Sequence, residues 1–286
     1  LNLEDMKICV VGTGTMGNGI AQTFAQAGYD VLLKGRSEAS LSKAHKAIEK
    51  SLSKMVEKGK MEAAEKDAIN ARIKDTMAYE DCKDADLVIE VVAEDMVTKK
   101  EIFKILDATC KPEAILATNT SSLSITEIAA ATSRPEKVIG MHFFNPVPAM
   151  KLVEVIAGGN TPAELVDYIK NLSTEIGKTP VVVNEAPGFV VNKILIPYCN
   201  EGVCVLQEGV ASAEDIDIAM QLGCNHPMGP LHLGDLIGWD VVLNIMDVLF
   251  NETHDSKYRA NVLIRKMVRA GKLGIKSGEG FFKYTK

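Results

Sequence analysis

A glycine-rich turn near the amino terminus constrains the fold of this chain more than any other stretch. The turn follows a short apolar run at residues 7–11 and precedes a helical pattern that stops at Gly28. Its six residues are Gly12, Thr13, Gly14, Thr15, Met16 and Gly17. Such glycines permit a tight turn, let the backbone approach a pyrophosphate and allow close helix packing, while the helix N-terminus attracts negative charge. With a second apolar run at residues 29–34, this order predicts a Rossmann-like dinucleotide-binding domain.

The residues after the second predicted strand bear on the choice of dinucleotide. An NAD-binding fold usually has an acidic residue there, which bonds to the adenine-ribose hydroxyls. Here the sequence reads Gly35, Arg36 and Ser37. Without a carboxylate nothing repels a 2′-phosphate, and the guanidinium and hydroxyl groups can bond to it. We therefore expect NADP(H) to be favoured, with NAD(H) as the alternative if Arg36 merely lies over the adenine or in solvent.

Helical and strand patterns alternate through the next hundred residues. Apolar side chains recur at intervals of three and four over residues 38–58, and residues 61–73 continue helically, which predicts a helical hairpin inserted after the second strand. The lysines on its other face indicate a solvated surface by default. Two later apolar runs, at residues 87–92 and 115–117, predict buried strands, and the segments that follow them contain Glu94, Asn119 and Ser121. Because ligands bind beyond the carboxyl ends of strands in such sheets, all three side chains are candidate site residues.

The best acid–base candidate lies in residues 141–154. His142 and Glu154 belong to two short apolar runs that a proline-rich turn separates, so the runs can fold side by side. A carboxylate beside an imidazole fixes the ring tautomer and stabilises the imidazolium form. The histidine could then take a proton from a hydroxyl group near neutral pH.

Beyond Asn184 the patterns become helical, which predicts a second, all-α domain. We place a dinucleotide-binding domain at residues 1–184 and a helical substrate and dimerisation domain at residues 185–286. The helix expected over residues 241–251 is apolar on most sides, which is typical of burial between helices or between subunits. A homodimer formed through this domain is our expectation.

Charge and composition exclude several classes of function. The net charge is −6 with no uninterrupted Lys/Arg block, so we expect neither a nucleic-acid surface nor a membrane surface. The apolar runs are too short to span a bilayer. The six cysteines contain no Cys-x-x-Cys pair, and no secretory signal is visible, so we expect free thiols and a cytoplasmic location. We expect no metal, because Cys224, His226 and His232 match no known ligand spacing.

Four motifs occur in an order that is far more specific than any one of them. Besides the glycine turn, they are Asn119-Thr120-Ser121-Ser122-Leu123, Met141-His142-Phe143-Phe144-Asn145-Pro146 and Gly188-Phe189-Val190-Val191-Asn192. This series resembles the 3-hydroxyacyl-CoA dehydrogenases, most closely the bacterial 3-hydroxybutyryl-CoA dehydrogenases of butyrate metabolism. The resemblance covers nearly the whole chain.

The resemblance assigns roles to individual residues. It implies that His142 is the catalytic base, that Glu154 is its partner, and that Ser121 and Asn192 contact the reacting oxygen or the thioester of the substrate. It implies further contacts, to the cofactor by Glu94, Lys99, Asn145 and Lys276 and to coenzyme A by Ser51 and Lys58. The acidic residue common in NAD-using members of the family is replaced here by Gly35.

The expected reaction is therefore the interconversion of acetoacetyl-CoA and (S)-3-hydroxybutyryl-CoA with a nicotinamide cofactor. An alternative is a dehydrogenase of a free hydroxy acid or sugar acid, because related folds use a similar His/Glu pair. Another alternative is a non-catalytic nucleotide-binding protein. The joint presence of Ser121, His142, Glu154 and Asn192 favours an enzyme.

Overall fold

An eight-stranded sheet forms the centre of the first of two compact units. The computed structural model describes residues 6–284, and the chain divides between Ala186 and Pro187. The strands are short and mostly fully buried, as near-continuous apolar runs predict for a parallel sheet. They are β1 (Ile8–Val11), β2 (Val31–Lys34), β3 (Ile73–Thr76), β4 (Leu87–Glu90), β5 (Ile115–Thr118), β6 (Val138–Phe143), β7 (Leu152–Ala157) and β8 (Thr179–Asn184).

The strand order is β3-β2-β1-β4-β5-β6-β7-β8. The first six strands run parallel, β7 is antiparallel to β6, and β8 is parallel to β7. The order 3-2-1-4-5-6 is that of the doubly wound dinucleotide-binding fold. The predicted Rossmann-like domain is thereby confirmed.

The register of the parallel strands gathers their carboxyl ends at one edge of the sheet. Val11 at the end of β1 is level with Lys34 and with Glu90. Glu90 is in turn level with Thr118, and Thr118 is level with Gly140 in β6. The glycine turn, the segment after β4, the segment after β5 and the end of β6 therefore meet at this edge.

Six helices cover the sheet or connect its strands. They are α1 (Thr15–Gln26), α2 (Glu38–Glu57), α3 (Ala63–Arg72), α4 (Met96–Thr109), α5 (Ile125–Ala129) and α6 (Ala163–Glu175). The predicted hairpin after the second strand is confirmed as α2 and α3, with Leu41 and Ile48 buried on the inner face of α2. The hairpin leads directly into β3, which the patterns did not predict because its two central residues, Lys74 and Asp75, are polar and exposed.

The second unit is all-α, as expected. Its helices are α7 (Val191–Gln207), α8 (Ala213–Cys224), α9 (Pro230–Ile237), α10 (Trp239–Thr253) and α11 (Val262–Arg269). Trp239, Val242, Met246 and Leu249 of α10 are fully buried in the core of this unit. Within residues 6–284, the helices are all too short or too polar to cross a membrane.

Pro230 is the first residue of α9. Proline suits this position, since the first helical N–H has no partner inside the helix. Asp217 from α8 accepts the next two N–H groups, those of Leu231 and His232, at 2.9 and 2.7 Å.

Candidate active site

Close backbone contacts require two of the three glycines in the first turn, and the third leaves the start of α1 open. Gly12 has φ +127°, and a Cβ there would lie 2.4 Å from the carbonyl oxygen of Val91. A Cβ on Gly17 would lie 2.0 Å from the carbonyl oxygen of Gly12, so α1 packs directly against the turn. Gly14 has open space at the corresponding position and is the N-cap of α1, with no side-chain cap and no acidic residue in the first turn. The turn therefore leaves free access to the helix N-terminus, which suits a pyrophosphate.

A cavity of about 710 Å³ begins at this turn and follows the carboxyl ends of β1, β2 and β4. Of the predicted cofactor residues, six line it: Gly12, Thr13, Gly14, Thr15, Gly35 and Arg36. Met16 packs on the core beneath it, and Gly17 is buried. The volume and the glycine turn fit a dinucleotide.

The end of the cavity near Gly35 is positively charged. Lys34, Arg36 and Lys43 line it, and of the described lining residues none is acidic. The Lys34 ammonium lies 3.8 Å from the ring centre of Tyr79, which also lines the cavity. The sequence analysis did not place Lys34 and Lys43 in the site. The direction of their side chains depends on how α2 and the segment around Tyr79 pack on the sheet.

Ser37, expected to bind phosphate, is the N-cap of α2. Its Oγ accepts the N–H of Ser40 at 3.2 Å, and Ser40 Oγ donates to the Ser37 carbonyl oxygen at 2.8 Å. Ser40 lines the cavity, whereas Ser37 is not among the lining residues. As the N-cap, Ser37 nevertheless places the N-terminus of α2 next to Gly35 and Arg36. The positive end of the helix dipole favours an anion there.

His142 and Glu154 face each other across two antiparallel strands. They are direct partners in the register of β6 and β7, which confirms the predicted side-by-side packing of the two runs. His142 Nδ1 lies 3.2 Å from Glu154 Oε1, and the two residues are 6% and 0% exposed. The Phe144 ring lies 4.4 Å from the imidazole, centre to centre. The pair is thus shielded from water, and the imidazole is oriented through Nδ1.

Glu94 holds the segment that contains Ser121. Its Oε1 accepts the backbone N–H groups of Ser121 and Ser122 at 2.8 and 3.2 Å and the hydroxyl of Thr120 at 2.5 Å. The Ser121 hydroxyl lies 3.3 Å from the same oxygen. Because Thr118 is level with Gly140, Ser121 and His142 leave neighbouring strands at nearly the same height.

Lys99 is more deeply buried than we expect for a residue whose role is a direct contact with the cofactor. It is 1% exposed, and its ammonium donates to Glu90 Oε1 and Oε2 at 2.8 and 3.1 Å. It also lies 3.4 Å from Glu94 Oε2. Sequence reasoning missed Glu90, although a carboxylate that ends an otherwise apolar strand was a usable signal.

The remaining predicted residues lie in several elements. Asn145 is exposed after β6 and precedes a cis peptide bond to Pro146. Ser51 is half-buried and Lys58 is exposed, two turns apart on one face of α2, or about 10 Å along its axis. In the second unit, Asn192 lies in the first turn of α7, and Lys276 pairs with Asp240 at 2.7 Å.

Two further polar residues fix the strand ends around His142, of which Asn119 was expected near the site and Lys178 was not. Asn119 Oδ1 accepts the N–H of Phe143 at 2.8 Å, which ties the exit of β5 to the end of β6. Lys178 is buried, and its ammonium donates to the carbonyl oxygens of Val147 and Met150 in the proline-rich turn. Burial lowers the pKa of Lys178.

The strand order, the glycine turn and its cavity define a dinucleotide-binding fold of the Rossmann class, with the buried contact between His142 and Glu154 at the same sheet edge. Comparison with known families agrees with this class. Residues 7–186 match the NAD binding domain of 3-hydroxyacyl-CoA dehydrogenase, and residues 188–284 match the C-terminal domain of the same enzyme. The chain belongs to the 3-hydroxyacyl-CoA dehydrogenase family of oxidoreductases.

Named relatives are similar over their full length. A 3-hydroxybutyryl-CoA dehydrogenase of Clostridioides difficile is 58% identical, with 98% of this chain and 100% of the relative covered. A probable 3-hydroxybutyryl-CoA dehydrogenase of Bacillus subtilis is 50% identical, with 99% and 98% covered. The crystal structure of (S)-3-hydroxybutyryl-CoA dehydrogenase from Ralstonia eutropha superposes with a TM-score of 0.96 at 48% identity, covering 99% of this chain and 100% of that one.

Proposed function

We propose that this chain interconverts acetoacetyl-CoA and (S)-3-hydroxybutyryl-CoA, with NADP(H) as its preferred cofactor. The observation that carries the proposal is the buried pair of His142 and Glu154 at the sheet edge that also forms the nucleotide cavity. The names of the similar enzymes support the substrate. A free hydroxy acid or sugar acid is the alternative substrate, and the contacts expected of Ser51 and Lys58 favour a CoA ester.

The bound nicotinamide supplies or accepts the hydride at C3 of the substrate. In the oxidation direction, His142 takes the proton of the 3-hydroxyl group through Nε2 while Nδ1 stays on Glu154. The carboxylate of Glu154 stabilises the imidazolium that forms, because both groups are shielded from water. In reduction the same proton returns to the new hydroxyl oxygen.

Ser121 and Asn192 act on the substrate carbonyl by hydrogen bonding. A hydroxyl and an amide N–H can each donate to an oxygen on which negative charge develops. Glu94 restrains the segment of Ser121, so the hydroxyl is pre-positioned before substrate arrives. Ser51 and Lys58 on α2 would hold the CoA portion, with the ammonium group paired to a phosphate.

NADP(H) is favoured by the charge of the cavity near Gly35. Three cations lie around this end, and a 2′-phosphate would find no carboxylate among the described lining residues. A charge-assisted hydrogen bond contributes about 1.5–3 kcal/mol, so losing Arg36 should lower kcat/KM for NADPH about 10- to 150-fold.

The reaction is tested by initial rates with acetoacetyl-CoA in the presence of NADPH or NADH, for the wild-type enzyme and for His142→Gln. We expect the variant to bind cofactor normally and to lose turnover by about 10²–10⁴-fold, the range for a missing general base. Unchanged turnover would rule out His142 as the base. Absence of wild-type turnover with the CoA ester, with turnover of a free hydroxy acid, would favour the alternative substrate.

The cofactor preference is tested by Arg36→Gln and Lys43→Gln, with Lys46→Gln as the matched control. Lys46 is an exposed lysine of the same helix that does not line the cavity. We expect the first two variants to lose efficiency with NADPH and to keep it with NADH, whereas the control keeps both. A wild-type preference for NADH would refute this part of the proposal.

We also propose a homodimer formed through the second unit. Several large apolar side chains of this unit are exposed in the single chain: Ile194, Val210, Ile218, Leu222 and Val262. Exposed apolar groups in this number favour an interface over solvent. Light scattering should give twice the mass of 30.9 kDa for the wild type. A mass of one chain at micromolar concentration would refute the dimer.

A further inference from the structure

A buried ion pair joins the end of β4 to the first turn of α4. Glu90 is 0% exposed and Lys99 is 1% exposed, and the ammonium donates to both carboxylate oxygens. Removing one member of such a pair leaves an uncompensated buried charge, which is strongly unfavourable. Each charge therefore holds the other in place.

The carboxylate of Glu90 has further partners on both of its neighbouring segments. Oε1 accepts the N–H of Val92 at 2.7 Å, and Oε2 accepts the hydroxyl of Thr118 at 2.8 Å. Val92 lines the nucleotide cavity, and Thr118 ends β5 three residues before Ser121. With four hydrogen bonds the orientation of the carboxylate is fixed.

Lys99 also reaches the residue that holds Ser121. Its ammonium lies 3.4 Å from Glu94 Oε2, longer than its bonds to Glu90. The other oxygen, Glu94 Oε1, carries the bonds to Ser121 and to its neighbours. The position of the ammonium thus sets the rotation of the Glu94 carboxylate, and that rotation sets where Oε1 meets the Ser121 segment.

We infer that Glu90 is a positioning residue for Ser121, acting through Lys99 and Glu94. By binding the ammonium, Glu90 keeps it from closing further on Glu94. In the part of the chain that the structure describes, the carboxylates within 4 Å of the ammonium belong to Glu90 and Glu94. If Glu90 loses its charge, Glu94 is the one that remains. The ammonium then draws Glu94 Oε2 towards itself and turns Oε1 away from Ser121. The catalytic consequence of this inference rests on the proposed function.

The variant Glu90→Gln removes the charge and replaces Oε2, which accepts from Thr118 and Lys99, with an amide NH2 group. Its amide oxygen can still accept the N–H of Val92, so the wall of the nucleotide cavity keeps its anchor. We expect kcat to fall about 10- to 100-fold, because a displacement near 1 Å at a reacting group has effects of that order. KM for the nucleotide should stay within about threefold, since Val92 keeps its bond.

A second variant shows whether the effect passes through the lysine. Glu90→Gln/Lys99→Met removes both buried charges, so nothing pulls Glu94 out of place. Its kcat should exceed that of Glu90→Gln alone. An equal or lower kcat, with KM for the nucleotide unchanged from that of Glu90→Gln, would mean that Glu90 does not act through Lys99.

Asp107→Asn is the matched structural control. Asp107 lies near the other end of α4 and pairs with Arg134 at 2.7 Å in a half-buried contact. Its loss should lower the stability of the same unit and leave kcat unchanged.

Hydrogen exchange of the Ser121 and Ser122 amides gives a readout that does not depend on the reaction. We expect faster exchange in Glu90→Gln and unchanged exchange in Asp107→Asn. If the wild type does not reduce acetoacetyl-CoA, the proposed function fails while the exchange experiment still decides the positioning role. Unchanged exchange at both amides in Glu90→Gln overturns the inference, whatever the rates.

Discussion

Replacing Gly35 by aspartate should convert the cofactor preference, but the structure shows that the single substitution cannot do so cleanly. A Cβ at Gly35 would lie 2.6 Å from Leu41 Cγ and 2.9 Å from Leu41 Cδ2, and Leu41 is buried. The backbone cannot slide away, because the Gly35 N–H donates to the Thr76 carbonyl oxygen at 2.9 Å. Overpacking of this kind costs about 1–3 kcal/mol.

The paired variant Gly35→Asp/Leu41→Ala makes room for the new side chain, because it removes both Leu41 Cγ and Leu41 Cδ2. Truncating Leu41 should cost about 2–5 kcal/mol by itself, the range for a buried leucine changed to alanine. An added carboxylate about 4 Å from a 2′-phosphate repels it by about 4 kcal/mol per pair of unit charges at an effective dielectric constant of 20. Efficiency with NADPH should then fall by about two to three orders of magnitude. Efficiency with NADH should rise, because the carboxylate can accept bonds from the ribose hydroxyls.

The assay is kcat/KM for both cofactors with acetoacetyl-CoA, alongside the melting temperature of each variant. Leu41→Ala alone is the control, and it should keep the wild-type ratio of the two efficiencies. If the contact with Leu41 is real, the pair should lose less melting temperature than the two single variants added together. An unchanged NADPH-to-NADH ratio in a stably folded paired variant would refute the placement of Gly35 at the 2′ position.

Three further outcomes follow from the geometry. Glu154→Gln should reduce kcat by about 10²-fold or more with little change in cofactor binding, because the imidazolium of His142 loses its buried counter-charge; equal kcat in stopped-flow assays would contradict this. Burial raises the pKa of Cys199 from 9.0 to about 12, so the folded chain keeps a proton that the unfolded chain releases above pH 9. The free energy of unfolding therefore falls as the pH rises from 9 towards 12, by about 1.4 kcal/mol at pH 10. The free energy of unfolding of Cys199→Ala, measured with urea, should not show this fall. In a thiol titration of the native protein near pH 8, Cys224 should react first because it is exposed while Cys199 is buried; faster labelling of Cys199 would contradict the burial.

The parts of the site that depend on local pattern could be predicted from the sequence. The glycine turn follows a strand and begins a helix, and the spacing of its three glycines matches that of a dinucleotide-binding turn. A proline-rich turn joins the two runs that contain His142 and Glu154, so their pairing could be predicted from this one segment of the sequence. Chain direction then decides which strand ends share an edge.

The parts that depend on packing could not be predicted. Lys43 reaches the nucleotide cavity because of how α2 lies on the sheet, which the helical period alone does not give. Glu90 and Lys99 meet because α4 returns over the end of β4, and either residue alone could have been a surface charge. Ser37 shows a conflict between two local rules, since a serine that could bind phosphate is also the best N-cap for the helix that follows.

The change from parallel to antiparallel strands explains how so short a segment builds the proton-transfer pair. β6 runs parallel to its neighbour and delivers His142 near its end to the edge where the nucleotide cavity lies. β7 runs the opposite way and therefore starts at that same edge, so its third residue, Glu154, can pair with His142 after a turn of eight residues. A parallel β7 would need a crossover connection of a dozen or more residues to bring a carboxylate to this place. The turn must then be held firmly, and the buried ammonium of Lys178 does so by binding two of its carbonyl oxygens.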